Sequence, residues 1–185
     1  YHLYSSYLYE GRMFEVSEFL PSGVFTLGSN YPEALEITNV KKVKNLEACN
    51  WSSRTKLLKE VGGFDNIYIK GLGDYHESDA ALKIHNLGYD LLFNPKANLQ
   101  HNVEVGKVDK ARPKPFYRIQ NFIIFYFRFY KINNINQFMK VMTNIFLQNC
   151  YYLYRFLSTG KLNQLGAIIG TWVGFIRVIF AKHKI

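Results

Sequence analysis

The chain of 185 residues is long enough for one ordinary domain, or a small domain with an appendage, and too short for two of full size. Apolar residues make up 48% and charged residues 20%, which excludes a disordered or collagen-like chain, and 15 Phe with 14 Tyr form an aromatic load that needs a place. The net charge of +9 is unevenly spread: residues 1–105 carry 10 Lys/Arg against 13 Asp/Glu, whereas residues 106–185 carry 13 against 1. Two regions are expected, 1–105 and 106–185, and the second seeks an anionic partner, phospholipid or nucleic acid.

Taken in order, residues 1–35 are the least interpretable. β-branched and aromatic runs bounded by Gly, Ser, Asn and Pro predict short strands at Gly23–Leu27, Leu35–Val40 and Leu46–Cys49. Ser52 or Ser53 then caps a helix through about Val61, stopped by Gly62-Gly63, with Phe64 as a core anchor. A loop from Asp65 to Tyr75 leads into a helix from about Glu77 to Gly88, whose apolar positions are Ala81, Leu82, Ile84 and Leu87. Tyr89–Phe93 and Ala97–His101 read as further strands, so the first region is expected to be mixed α/β.

After a basic linker the pattern predicts helices at about 116–131, 134–157 and 162–181. The run YRIQNFIIFYFRFY is apolar nearly all round. Fifteen uncharged residues, Leu162 to Ile176, fall short of the roughly 20 that cross a bilayer, so these helices are expected to lie in or against a membrane interface. A soluble helical subdomain with an aromatic core is the alternative. Gly166, Gly170 and Gly174, four apart, line one helix face and let a neighbouring backbone come close. Nucleic-acid binding is disfavoured, because the basic residues are scattered among aromatic helices and form no reading motif. The lone pair Cys49 and Cys150 has no zinc or disulfide spacing and fits a reducing compartment.

Chemistry concentrates in YHESDAALKIHNLGYDLLFNPKANLQH. Glu77 and Asp79 stand in the first turn of a helix, where the dipole and free N–H groups keep a carboxylate ionised. An inverting sugar transfer needs one such group as general base; otherwise the two are favourable first-turn charges. They are too near in sequence to flank a glycosidic bond as a hydrolase pair does.

The succession ACNWSSRTKLLKEVGGFDN, HESDAAL and LGYDLLFNPKANLQH resembles, in order and spacing over about residues 45–130, the distal half of the family 2 glycosyltransferase domain of GT-A type. Its landmarks stand here as Asn50, Arg54, Gly62-Gly63-Phe64-Asp65, Glu77 with Asp79, Gly88-Tyr89, Pro95 with Ala97, and His101. The resemblance implies an α/β fold, the distal, acceptor-side half of a Rossmann-like domain, followed by apolar and basic helices. It implies catalysis by Glu77 and Asp79, and substrate contacts at Asn50, Trp51, Arg54 and Tyr75, where Trp51 and Tyr75 offer aromatic faces to an acceptor sugar or else serve packing. By similarity to some GT-A enzymes, His101 helps hold the metal or the donor diphosphate. Arg112, with Lys107 and Lys110, folds over that diphosphate or meets membrane lipid.

There are departures. His76 stands at the family's first acidic position, and Glu77, one methylene longer than Asp, at that of the base. The Q-x-x-R-W box is absent, which disfavours processive synthesis. Neither a D-x-D nor a Gly-rich phosphate loop occurs, and the chain begins at Tyr1, so the nucleotide-binding half is expected upstream and this chain alone is expected to be inactive. The resemblance thus implies transfer from a nucleotide-sugar donor to a hydroxyl of a lipid-linked or cell-surface glycan. A divalent cation, Mg or Mn, held mainly by the upstream half, is implied, as is a peripheral or monotopic place on the cytoplasmic face of an anionic membrane. The rival expectation is a non-catalytic membrane-binding module.

Overall fold

A computed structural model describes residues 2–30, 32–46, 50–71, 74–99 and 114–181. The chain forms two compact units: Tyr1–Asp65 with Glu77–His101, and Asn66–His76 with Asn102–Ile185. The expected boundary near Val105 falls outside the described residues, and the segment 66–76 belongs with the helical unit. Among the described residues the chain is mostly helical, with a single two-stranded antiparallel sheet; the wider strand content expected of a Rossmann-like half is not seen.

The first unit opens on helix α1 (His2–Tyr9), which sequence reading did not anticipate. Its Leu8 and Tyr9 form a small core with Leu20 and Val24, edged by Met13, and the Ser22 hydroxyl donates to Leu8 O at 2.6 Å. Around the expected strand at Gly23–Leu27 there is only an isolated Phe19–Phe25 bridge, with the two rings edge to face. Gly28 is required nearby, because a Cβ there would stand 2.1 Å from Phe14 O. The expected strand at Leu35–Val40 gives way to a 3-10 turn, Pro32–Glu36. Proline fits the first turn of a helix, and the helix-forming Glu, Ala and Leu that follow outweigh the short apolar pattern. Strand β1 (Lys41–Val43) starts later and pairs with β2 (Leu91–Phe93), Lys41 opposite Phe93 and Val43 opposite Leu91.

Helix α2 (Thr55–Glu60) is shorter than expected and buries no residue. Arg54 holds its N-cap position without a side-chain cap, so neither Ser52 nor Ser53 caps it. Gly62 and Gly63, at φ 82 and 71, end it in the left-handed region as the Gly-Gly pair predicts. Helix α3 (His76–Asn86) begins beside the expected Glu77 and is followed by Gly88 at φ 93. Ala81 packs with Val43 and Leu91, Leu46 and Phe93 closing the edge, which fixes α3 against the ribbon. Ala97–Leu99, read as strand, is not strand, and the rest of that run lies outside the described residues.

The second unit contains helices α4 (Pro115–Phe129), α5 (Ile135–Thr159) and α6 (Gly166–Ala181), close to the predicted spans. Pro115 starts α4 where a missing N–H costs nothing. Every residue of α4 from Ile119 to Tyr126 is buried, which is why this stretch, Gln120 and Asn121 apart, is apolar all round rather than along one stripe. Asn134 caps α5 by accepting from Gln137 N at 2.8 Å, while Gln137 Oε1 accepts from Asn133 N at 3.1 Å. Gly160 closes α5 at φ 67. The glycine row of α6 does what its spacing predicts. A Cβ on Gly170 would lie 2.2 Å from Phe116 O, and one on Gly174 3.0 Å from the Ile123 Cβ, so α6 meets the α4 backbone directly. The stretch Leu162–Phe180 is, by length and composition alone, long and apolar enough to cross a membrane, and 22% of it is buried.

Candidate functional site

The first turn of α3 carries the acidic cluster. Ser78 and Asp79 are buried there, with Asp79 fully inaccessible, and Glu77 is half-buried. Lys83, one turn on, brings its Nζ to 2.6 Å from Asp79 Oδ2 and 3.5 Å from Asp65 Oδ2. Asp65 is the last residue of the G-G-F-D run, so this lysine ties that corner to the helix. Asp79, expected to share catalysis, is closed off from solvent and engaged by Lys83. A general base must reach an incoming hydroxyl, so the half-buried Glu77 is the better placed of the two candidate carboxylates. Glu77 keeps Oε2 sealed from solvent.

The expected substrate contacts divide. The Asn50 side-chain amide donates to Ala97 O, which ties the residues before α2 to those following β2. The indole of Trp51 packs on Phe64, centroids 5.6 Å apart, and its Nε1 is sealed off without a partner among the described residues. Both are thus engaged within the fold of their unit. Arg54 is exposed, its carbonyl accepting from Leu57 N and Leu58 N. His101 and Arg112 lie outside the described residues. No group of three His, Cys, Asp or Glu able to hold a metal exists among the described residues, and the divalent cation that the resemblance implies is expected mainly on the upstream half.

In the second unit, Tyr75 sits at φ 77, an uncommon backbone state for a bulky residue. Its ring stacks on Phe125 at 5.1 Å and tilts against Phe122 at 6.0 Å, so it packs against α4 while staying partly exposed. Sequence reading missed the group beside it. Arg118 of α4 donates to the Tyr152 hydroxyl of α5 and feels Tyr75 and Asp74. Burial works against its charge, but those oxygens outweigh burial and raise its pKa. Burial pushes the Tyr152 phenol up, and Arg118 pulls it part of the way back. Asn121, one turn along α4, is 1% exposed with neither amide atom bonded among the described residues. No periodicity marks such a group, because its members come from three separate segments. Lys83 was missed as well, although its place four residues after Asp79 on one helix face is a signal for the pair.

Comparison with protein-family models, with curated proteins and with solved structures finds no match to this chain.

Proposed function

We propose that the chain is the distal, acceptor-side part of an inverting GT-A glycosyltransferase resembling family 2, acting at the cytoplasmic face of a membrane on a lipid-linked or cell-surface glycan. The observation that carries this reading is Glu77 in the first turn of α3, with that helix held by Lys83 between Asp65 and Asp79 and by Ala81 on the ribbon. G-G-F-D and H-E-S-D, distant in sequence, are thereby joined through one lysine, which gives the order of the motifs a physical reason. In the reaction the acceptor oxygen attacks the anomeric carbon of the donor as the bond to the diphosphate breaks on the opposite face. Glu77 takes the hydroxyl proton. The diphosphate leaves with the electron pair, and the cation belongs to residues outside those described.

A second reading is favoured by one observation, the sealed Oε2 of Glu77: a module in which the carboxylates only order the helix and the basic helices bind membrane. Glu77→Gln in the intact protein separates the two. As a base, Glu77 is worth about 10²–10⁴-fold in transfer rate with the circular dichroism spectrum unchanged. Near-normal transfer by the folded variant removes Glu77 from the chemistry and leaves the second reading.

A further inference from the structure

We infer that α6 lies in the plane of an anionic phospholipid surface, with its outer face in the lipid, and does not cross the bilayer. Ile168, Ile169, Trp172, Ile176, Ile179 and Phe180 are exposed, and the run 168, 172, 176, 180 with 169 and 179 beside it forms one broad apolar row along the helix. The opposite row, Gly166, Gly170 and Gly174, is occupied by Phe116 and Ile123 of α4. Further along, Phe127 meets Phe175 with centroids 5.7 Å apart, so the two helices run side by side in the same sense.

That pairing decides between crossing and lying flat. A crossing α6 takes its bound neighbour with it. The uncharged part of α4 is only the nine residues from Ile119 to Phe127, between Arg118 and Arg128. At 1.5 Å per residue they cover roughly 14 Å, about half the hydrocarbon thickness of some 30 Å. Crossing would therefore draw a guanidinium into hydrocarbon, whereas lying flat leaves α4 above the lipid and immerses only the exposed row.

Charge selects the partner. Residues 114–181 contain eight Lys/Arg and not one Asp or Glu. Lys161 and Arg177 are exposed near the two ends of the row, where their heads can reach phosphate while their stems lie in the apolar layer. A surface with apolar side chains in the middle, cations at the margin and no acid matches anionic lipid, which supplies both hydrocarbon and negative headgroups. This deepens only the membrane part of the proposed function. It is measured without donor or acceptor, so sugar transfer and lipid binding can fail separately.

Trp172 lies near the middle of the Leu162–Phe180 stretch and reports its depth. The 185-residue chain is mixed with phosphatidylcholine vesicles, with or without phosphatidylserine, containing lipids brominated near the headgroup or near the chain end. Subtracting the emission of Trp172→Phe isolates this tryptophan from Trp51. The expected result is stronger quenching by the shallow bromines, corresponding to a depth of about 5–10 Å. Binding is expected to be at least about tenfold weaker without phosphatidylserine, and to weaken with salt. The double variant Ile169→Asn/Ile176→Asn, with an unchanged circular dichroism spectrum, loses the quenching. Stronger quenching by the chain-end bromines means that α6 crosses, and overturns the proposal. So does equal binding to neutral vesicles, or none to anionic ones.

Discussion

Gly170→Ala tests the seam between α4 and α6 most directly. The added Cβ would stand 2.2 Å from Phe116 O and 2.9 Å from its carbonyl carbon, and both are backbone atoms that no rotamer change can remove. Ordinary contact needs about 3.5 Å, so the helices must part locally by about 1 Å. Overpacking of this kind costs about 1–3 kcal/mol, and the backbone partner puts this site at the upper end. Alanine returns about 1 kcal/mol as the better helix former, leaving a net loss of about 2 kcal/mol. For a unit of this size that lowers the thermal midpoint by about 10 °C. Gly166→Ala is the internal control, because its Cβ would meet the Phe116 Cβ at 3.3 Å, a contact that small adjustments absorb. Thermal melts of the three proteins, followed at 222 nm, make the comparison. If Gly170→Ala melts at or above the parent chain, only helix propensity is at work, the seam is not there, and the argument that α4 restrains α6 fails.

Three further outcomes follow from paired or buried ionisable groups. Lys83→Met removes the cation 2.6 Å from the fully buried Asp79 and is expected to cost about 2–3 kcal/mol in urea denaturation, below the range for a wholly buried pair because Lys83 keeps 27% of its side chain exposed. Asp65→Asn, acting on the longer 3.5 Å contact between two partly exposed groups, is expected to cost less than about 1 kcal/mol; equal losses would show that Asp79 is not the principal partner. Burial raises the Tyr126 phenol above its ordinary value, against the smaller opposing pull of its hydrogen bond from Gln137. A pKa higher in the folded than in the unfolded chain contributes stability that is full below about pH 10 and is lost as pH rises through the folded value. Circular dichroism is therefore expected to decline above pH 10, less steeply in Tyr126→Phe, and an identical decline in both proteins would contradict this origin.

Features set by neighbours along the chain were legible in the sequence. The glycine row, the Gly62-Gly63 stop and the three long helices all follow from local spacing. The strands were not. β1 consists of two exposed lysines and one buried valine, a sequence with no strand signature, and it is strand because Leu91–Phe93 lies beside it. Pro32–Glu36 shows the converse, a helix-forming composition that prevails where no strand pairs with it among the described residues. At the candidate site, position 77 and the helix start were readable, but the burial of Asp79 was not. First-turn carboxylates look alike in sequence, and only the core formed by Ala81, Val43 and Leu91 decides which of them faces inward.

The grouping of Asn66–His76 with the helical unit has a practical meaning for dissecting the protein. Tyr68 in that segment is fully buried with Arg128 5.7 Å from its ring, and Tyr75 covers Phe122 and Phe125. A clone cut once at the charge boundary would deliver the three helices stripped of these two rings, with the aromatic flank of α4 laid bare to aggregation. Separate expression of the helices therefore calls for grafting the eleven-residue segment back by a linker, a permuted rather than a truncated design.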